Sequence, residues 1–373
     1  MSSTADLVDA NPGDGLCAAS TGECTLRAAV IEANAVPGPA FVHLSAAVYT
    51  LTIQGSGEDL ARTGDLDVLD DLSIFGSGMT LTGVDAYGLQ DRVFHVHPGA
   101  PFFLGQTSLL NGSLGIGQAG GGLLNEAGTT TIYLSSIQFN GADSGAGLMN
   151  TGSMSVQRSL VFGNTASATG GGIRNEGTLT LDRSTIAQNR ATAGGGAIAS
   201  AGTLEIVNST LATNISVSGP AAILNEAAGT TVINNTTIYG NFAEPGGTAA
   251  TGGISNLGPI GSLAMSNSIL SLNADAFGDS NCIGPIDSAG YNLFGTLLGC
   301  MLLVPGPGDL YGINNPQLGP FTANPDGTAS HPPLPGSPAI DAGNPAPVGS
   351  GPPACERYDQ RFVARPQDRK SVV

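Results

Sequence analysis

The stretch Gly120-Gly121-Gly122-Leu123-Leu124-Asn125 decides the fold, because it recurs along the chain. Related segments follow at a spacing of 25 residues, namely Gly145-Ala146-Gly147-Leu148-Met149-Asn150 and Gly170-Gly171-Gly172-Ile173-Arg174-Asn175. Ser200 occupies the next slot of this series, and Asn225 occupies the one after it. A period of this length is typical of solenoid proteins, in which each repeat forms one turn of a long coil.

A second asparagine series runs in phase with the first. Its members are Asn140, Asn164, Asn189, Asn214, Asn241 and Asn273. Three residues before each of them lies an aliphatic residue: Ile137, Val161, Ile186, Leu211, Ile238 and Leu270. Two series in one phase predict that equivalent residues stack in columns. The aliphatic column then lies inside the coil, and the asparagines lie at turns, where their side chains form hydrogen-bonded ladders.

The segments between the asparagines predict short β-strands. Thr178-Leu179-Thr180-Leu181 and Thr203-Leu204-Glu205-Ile206-Val207 alternate with a period of two, and glycine, asparagine or serine bounds each run. No repeat has ten residues of helical periodicity. The sequence therefore predicts an all-β fold, a right-handed parallel β-helix with about 25 residues per coil over residues 46–275.

Residues 1–45 are predicted to form a cap on the first coil. Thr25 is a suitable N-cap for a short amphipathic helix with apolar residues at positions 26, 29, 30 and 33, followed by Pro37. Such a helix covers the open end of a solenoid, which otherwise invites end-to-end pairing. Cys17 and Cys24 enclose a small loop, and their spacing favours a disulfide over a zinc site.

Residues 276–373 are predicted to form a C-terminal cap with an extended, proline-rich segment along the solenoid, because they hold most of the 23 prolines. They also contain Cys282, Cys300 and Cys355. Four cysteines can pair in three ways. Proximity favours Cys17 with Cys24 and Cys282 with Cys300, which leaves Cys355 unpaired.

The composition limits the partners and the location of the protein. The chain has 29 acidic and 12 basic residues, a net charge of −17, which argues against nucleic acid and anionic membranes as partners. It has no run of eighteen apolar residues, so no transmembrane helix is expected. The first residues lack the basic and apolar regions of a signal peptide. We expect a secreted or cell-surface protein whose signal peptide is absent from this chain.

Motifs at both ends carry a family resemblance. The segment from Asp14-Gly15-x-Cys17 to Gly22-x-Cys24-Thr25-Leu26-Arg27, together with Gly336-Ser337-Pro338-Ala339-Ile340-Asp341-Ala342-Gly343 and Asp359-Gln360-Arg361-Phe362-Val363-Ala364-Arg365-Pro366, resembles the CSLREA-domain family of bacterial secreted and surface proteins. The resemblance extends over most of the chain. It implies a pectin-lyase-like, right-handed parallel β-helix.

Two positions depart from the family pattern. Ala28 stands where the family motif usually has glutamate after the arginine. The chain ends in Arg369-Lys370-Ser371-Val372-Val373, where the family usually continues into a Cys-Asp-x-Gly strand. The second departure implies that Cys355 lacks a partner and that the final cap is incomplete.

Asp65, Asp67, Asp91 and Arg92 are the candidate site residues. Asp65 and Asp67 alternate along a strand and so point to one side of it. Carboxylates placed in this way bind Ca²⁺ or act as an acid and base pair, and Arg92 supplies a cation if the early coils stack in register. The favoured interpretation is simpler: exposed acids on an early coil, with no catalytic residue, bound metal or other cofactor.

His95 and His97 lie two positions apart and share a strand face, as metal ligands often do. The sequence shows no third ligand, so a surface position is the favoured interpretation.

Charged residues also recur within the repeats. Glu126, Glu176 and Glu226 follow the first asparagine series in every second repeat. Two coils apart, they are separated by about 10 Å, which is too far for a glycosidase pair and typical of a solvated stripe. Arg158 and Arg183 align one coil apart and either contact acidic sugars or balance nearby acids.

Two functions from different classes remain. The first is a non-catalytic extracellular β-helix, an adhesin or a surface or fibre-like structural protein that binds glycans or self-associates. Regular repeats, a charged fraction of 11% and the lack of an acid–base cluster at aligned positions favour it. The alternative is a polysaccharide lyase or glycoside hydrolase of the pectin-lyase-like class, which only the analogy of fold favours. An enzyme requires two or more acids and a base that converge over adjacent coils.

Overall fold

The computed structural model describes residues 1–245 and 250–365. Within these residues, one α-helix, Leu26–Ala35 (α1), precedes a long stack of β-coils. The strands of successive coils pair in parallel, so the predicted parallel β-helix with about 25 residues per coil is confirmed. The predicted tail Arg369–Val373 lies outside the described residues.

Four columns of strands run along the solenoid. The first column contains Leu66–Val68, Phe94–Val96, Leu123–Asn125, Leu148–Asn150, Ile173–Asn175, Ile198–Ser200, Ile223–Asn225 and Ile254–Asn256. The second column contains Ala40–His43, Leu72–Phe75, Pro101–Gly105, Thr129–Tyr133, Ser153–Gln157, Thr178–Asp182, Thr203–Val207, Thr230–Asn234 and Leu263–Ser266. Strand Cys282–Gly290 pairs with the last strand of both columns and so joins them.

The other two columns complete each coil. The third column contains Val48–Thr50, Gly83–Asp85, Ser108–Leu110, Ser136–Gln138, Leu160–Phe162, Thr185–Ala187, Thr210–Ala212, Thr237–Tyr239, Ile269–Ser271 and Leu293–Phe294. The fourth column contains Gly141–Ala142, Thr165–Ala166, Arg190–Ala191, Ile215–Ser216, Phe242–Ala243, Ala274–Asp275 and Gly278–Asp279. Outside the columns, Cys300–Leu302 extends the end of the solenoid, and Thr322–Ala323 pairs antiparallel with Ala329–Ser330.

The aliphatic column is buried as the sequence predicts. Its members, each fully buried, are Ile137, Val161, Ile186, Leu211, Ile238 and Leu270. The parallel register places these side chains directly above one another in the third column. Burial of one aliphatic residue per coil, repeated over the stack, supplies a continuous apolar core.

The two asparagine series form hydrogen-bonded ladders at the turns. In the ladder that starts at Asn140, each Nδ2 donates to the Oδ1 of the asparagine in the next coil, at distances between 2.8 and 3.1 Å. In the ladder that starts at Asn125, Nδ2 donates to Asn150 at 2.7 Å, and Ser200 takes the asparagine's place as the acceptor from Asn175. These side chains are buried, so the ladders satisfy groups that water does not reach.

Both ends of the solenoid are covered. At the N-terminal end, the predicted helix is confirmed: Thr25 accepts a hydrogen bond from the Ala28 N–H at 3.2 Å, and Leu26 and Val30 pack into the core. The predicted disulfides Cys17–Cys24 and Cys282–Cys300 are present. Cys355 is free and buried.

The C-terminal segment, residues 314–365, lies along the outer side of the third column. Its hydrogen-bonded contacts with the coils include Asp326 with Arg158, Ala329 with Thr185, Gln360 with Thr210, and Pro353 with Asn267. These contacts tie residues far apart in sequence to several coils at once.

The coils extend beyond the limits 46–275 expected from the sequence. Ala40–His43 already pairs with Leu72–Phe75, and Leu293–Phe294 still pairs with Ile269–Ser271. Among the described residues, no helix has the length and apolarity needed to span a membrane.

Candidate functional site

The first coils bring charged side chains together on the outer side of the first column. Asp67 lies directly opposite His95 in the parallel pair formed by Leu66–Val68 and Phe94–Val96. The residues that flank Asp67 and His95 in these short strands are fully buried in the core. Because side chains alternate along a strand, Asp67 and His95 must both point outward, away from the core.

The carboxylate of Asp67 lies at the centre of this group. Its Oδ2 accepts a hydrogen bond from the Ala61 N–H at 2.8 Å. Its Oδ1 lies 2.8 Å from His97 Nε2 and 3.6 Å from His95 Nδ1. The second ring nitrogen of His95, Nε2, lies 3.0 Å from Glu126 Oε2 in the next coil. The two imidazole rings lie against each other, with centroids 3.9 Å apart.

A fourth donor comes from the loop before the first strand of this column. One ligand atom each from Asp59, Asp67, His95 and His97 lies within 4.8 Å of the others. We call these four residues the histidine–carboxylate cluster. Asp59 is exposed, His97 is half-buried, and Asp67 and His95 are buried.

The protonation of the cluster follows from these contacts. Burial opposes the ionisation of Asp67, but hydrogen bonds from His95 and His97 outweigh it and lower the pKa of that carboxyl. Burial also opposes the protonation of His95, yet its hydrogen bonds to Asp67 and Glu126 raise the pKa of the ring. The arrangement favours an ionised carboxylate against positively charged imidazoles.

Asp65, Asp91 and Arg92 form a second group beside the cluster. Arg92 Nη1 donates to Asp65 Oδ2 at 3.0 Å. Burial raises the pKa of Asp65 to about 7, the charges of Asp67 and Asp91 add to the rise, and the contact with Arg92 only partly offsets it. Asp91 Oδ2 is buried without a hydrogen-bond partner among the described residues, which adds to the local excess of negative charge.

A loop formed by residues 55–64 covers the two groups. Glu58 folds the loop on itself, because its carboxylate accepts hydrogen bonds from the backbone N–H groups of Leu60, Arg62 and Thr63. From the core side, the fully buried Arg27 donates to the carbonyl oxygens of Ala61, Gly64 and Asp65. The side chains of Asp65 and Asp67 are consequently only 3% and 0% exposed.

The structure changes the sequence-based interpretation of these residues. Stacking in register does bring Asp65, Asp67, Asp91 and Arg92 together, but the expectation of exposed acids is wrong, because the three carboxylates are buried. The expectation that His95 lies on the surface is also wrong. Its third ligand partner, Asp67, is in the preceding coil, and the period of 25 residues does not reveal it because that early coil is longer.

A groove lies between the second column and the C-terminal segment. It has a volume of about 330 Å³. Its lining includes Gln157, Thr180, Glu205, Arg357 and Tyr358. The ring of Tyr358 is held by stacking on Phe362, with centroids 4.7 Å apart and an angle of 11° between the planes. The groove therefore combines an aromatic ring with several hydrogen-bonding side chains.

The recurring charges of the repeats have partners within the chain. Arg158 pairs with Asp326, Arg183 pairs with Asp182, and both guanidinium groups lie about 5 Å from the ring of Phe362. The two arginines thus hold the C-terminal segment against the coils.

The glutamates of the predicted stripe have separate partners. Glu176 and Glu226 both bind Arg174, whereas Glu126 contacts His95. The stripe is therefore divided between an ion-pair network in the regular coils and the cluster in the early coils.

Compared with known proteins, the chain matches no protein-family model, no curated protein and no solved structure. The resemblance to the CSLREA-domain family stays a prediction that rests on the motifs alone.

Proposed function

We propose that the protein is a non-catalytic, extracellular or cell-surface β-helix of the CSLREA type that binds a neutral glycan on the outer side of its second column. The observation that carries the proposal is the groove beside Tyr358. Aromatic rings present an apolar face to the C–H groups of a sugar, while amide, hydroxyl and carboxylate groups bind its hydroxyls.

The outer side of the second column extends this groove into a longer binding face. Its outward positions carry small hydroxyl side chains: Thr129, Thr131, Ser153, Ser155, Thr178, Thr180, Thr203 and Thr230. These residues are exposed or half-buried. Since coils stack about 4.8 Å apart, the hydroxyls form a regular polar surface that suits an extended polymer.

The charges near the groove favour a neutral ligand. Glu205 and Asp182 line the groove, and the whole chain carries a net charge of −17. Arg158 and Arg183, which the sequence offered as contacts for acidic sugars, are engaged by Asp326, Asp182 and the ring of Phe362. An acidic polysaccharide would meet net repulsion here.

The covered ends of the solenoid favour lateral binding over end-to-end assembly. Helix α1 packs on the first coils, and Cys300–Leu302 pairs with the strand Cys282–Gly290 at the other end. Covered edges remove the unpaired backbone groups through which coils would otherwise join.

The convergence of Asp65, Asp67 and Arg92 is the one observation that favours a carbohydrate-active enzyme instead. Their carboxylates are buried beneath the loop of residues 55–64, and a general acid or base must come within hydrogen-bond distance of its substrate. An activity screen separates the two functions. Turnover of a polysaccharide by the wild type that disappears in an Asp65→Asn/Asp67→Asn variant would establish the enzyme.

Binding to insoluble neutral polysaccharides tests the main proposal. We expect the wild type to be retained on at least one member of a panel of β-glucans, mannans and chitin, without release of soluble sugar. A Gln157→Ala/Glu205→Ala variant removes two hydrogen-bonding side chains from the groove and is expected to lose about tenfold or more in affinity.

Glu23→Ala is the matched control, since it removes an exposed carboxylate far from the groove in the N-terminal cap. We expect it to bind as the wild type does. Retention on none of the polysaccharides, or equal affinity of the groove variant and the wild type, contradicts the proposal.

A further inference from the structure

We propose that the histidine–carboxylate cluster of Asp59, Asp67, His95 and His97 is a structural site for one divalent transition metal of the zinc type. The metal would clamp the loop of residues 55–64 to two successive coils, because Asp59 lies in that loop, Asp67 in one coil, and His95 and His97 in the next. The inference is independent of glycan binding.

The donor atoms already have the spacing of a metal site. In a tetrahedral zinc site with ligand distances near 2.0–2.1 Å, neighbouring donor atoms lie about 3.3 Å apart. The two contacts of Asp67 Oδ1 bracket this value, at 2.8 Å to His97 Nε2 and 3.6 Å to His95 Nδ1. All four donors lie within 4.8 Å of one another, so rotation of the exposed Asp59 side chain is the main movement required.

Outer contacts already orient two of the four ligands. His95 directs Nδ1 toward the cluster, and its other nitrogen, Nε2, lies 3.0 Å from Glu126 Oε2. Asp67 directs Oδ1 toward the cluster, while its Oδ2 is held by the Ala61 N–H at 2.8 Å. A ligand histidine whose second nitrogen meets a carboxylate is the usual arrangement in metal sites, since it fixes the ring and raises its basicity.

The chemistry of the donors selects the type of metal. Two imidazoles and two carboxylates suit zinc and related first-row divalent ions, whereas Ca²⁺ prefers six or more oxygen ligands. The Ca²⁺ considered from Asp65 and Asp67 fits less well, because Arg92 occupies Asp65. Four protein donors leave no open position, which is the pattern of a structural rather than a catalytic zinc.

Binding also balances charge and protons. In the metal-free cluster, the imidazole N–H groups share the single oxygen Asp67 Oδ1. A divalent cation takes the place of the protons carried on the ligating nitrogens, and those protons pass to solvent. The two carboxylates then neutralise the two charges of the ion.

Zinc binding by the full, untagged chain tests the proposal. The protein is stripped with a chelator, dialysed against Zn²⁺ and analysed for metal content, and its thermal midpoint is measured with and without the ion. We expect one Zn²⁺ per chain and a higher midpoint in its presence. Replacement by Co²⁺ is expected to give the visible absorption of a tetrahedral site with nitrogen and oxygen ligands.

Variants locate the ion. Asp59→Asn and His97→Gln are each expected to weaken binding by at least about tenfold. Asp59→Asn changes an exposed residue and keeps the test valid if His97→Gln fails to fold. His43→Gln is the control, because His43 is an exposed histidine of the second column outside the cluster.

The control is expected to bind zinc as the wild type does. Less than one Zn²⁺ per wild-type chain overturns the proposal, and so does wild-type affinity in Asp59→Asn. A loss of zinc in His43→Gln equal to that in the cluster variants would also overturn it.

Discussion

Asn164 and Asn189 are joined across two coils by a single side-chain oxygen. Asn189 Oδ1 accepts one hydrogen bond from the backbone N–H of Asn164 at 3.0 Å and a second from Asn164 Nδ2 at 2.9 Å. Asn164 repeats the arrangement toward Asn140. Each asparagine therefore satisfies the turn of one coil while its own amide is satisfied by the next.

Replacement of Asn164 by alanine should destabilise the solenoid. The change leaves the buried N–H of Asn140 without its acceptor and interrupts the ladder, at a cost of about 3 kcal/mol. Urea unfolding measures the loss, and Asn11→Ala, at an exposed residue of the cap, is the control and should cost less than about 0.5 kcal/mol. Equal losses in the two variants would show that the ladder does not stabilise the fold.

Replacement of Ile186 by alanine tests the aliphatic column. Ile186 is fully buried between Val161 and Leu211, which cannot close the gap because the sheet register fixes their positions. We expect a loss of about 2–5 kcal/mol in the free energy of unfolding. Val232→Ala removes an exposed aliphatic side chain of the second column and should have little effect. A loss below about 0.5 kcal/mol for Ile186→Ala would contradict its place in the core.

Arg27 is expected to be the most sensitive residue of the N-terminal cap. Its guanidinium is buried, pairs with Asp6 at 2.6 Å and donates to three carbonyl oxygens of the loop over the candidate site. Arg27→Met leaves the carboxylate of Asp6 buried without this partner, at a cost of about 3–5 kcal/mol. Arg62→Met is the control at an exposed arginine. Similar thermal midpoints for the two variants would contradict this role of Arg27.

The sequence predicts the regular part of the fold well, because repetition makes each position visible several times. Ile186 is identifiable as a core residue since equivalent aliphatic residues recur one coil before and one coil after it. The candidate site lies where repetition fails. Asp67 and His95 are neighbours in space, but the loop of residues 55–64 and a longer coil separate their motifs from the common period. No periodic signal joins them.

The contacts of the C-terminal segment are hidden for a different reason. Gln360 contacts Thr210 across 150 residues of sequence, and the segment that carries it has no repeat of its own. Its place along the third column depends on side-chain hydrogen bonds to particular coils. Composition predicts an extended, proline-rich segment, whereas only the folded chain reveals which coils it contacts and that it forms one wall of the groove.

The raised pKa of Asp65 predicts a pH-dependent stability. Its pKa rises from 3.8 to about 7 because the carboxyl is buried beside Asp67 and Asp91. A group whose pKa is higher in the folded state stabilises the fold fully below its unfolded pKa, and this stabilisation is lost as the pH rises through the folded value. The wild type should therefore lose about 2–3 kcal/mol from this group between about pH 5 and pH 8.

Asp65→Asn isolates this contribution, because an amide keeps an acceptor for Arg92 and does not titrate. Urea unfolding of the wild type and the variant, with a chelator present to remove metal ions, gives the difference in unfolding free energy at each pH. We expect the variant to gain about 2–3 kcal/mol relative to the wild type from about pH 5 to pH 8. Glu23→Gln, at an exposed residue, should show no such gain. A difference between Asp65→Asn and the wild type that stays constant over this range would mean that burial and the neighbouring carboxylates do not raise the pKa of Asp65, and that Arg92 alone sets its charge.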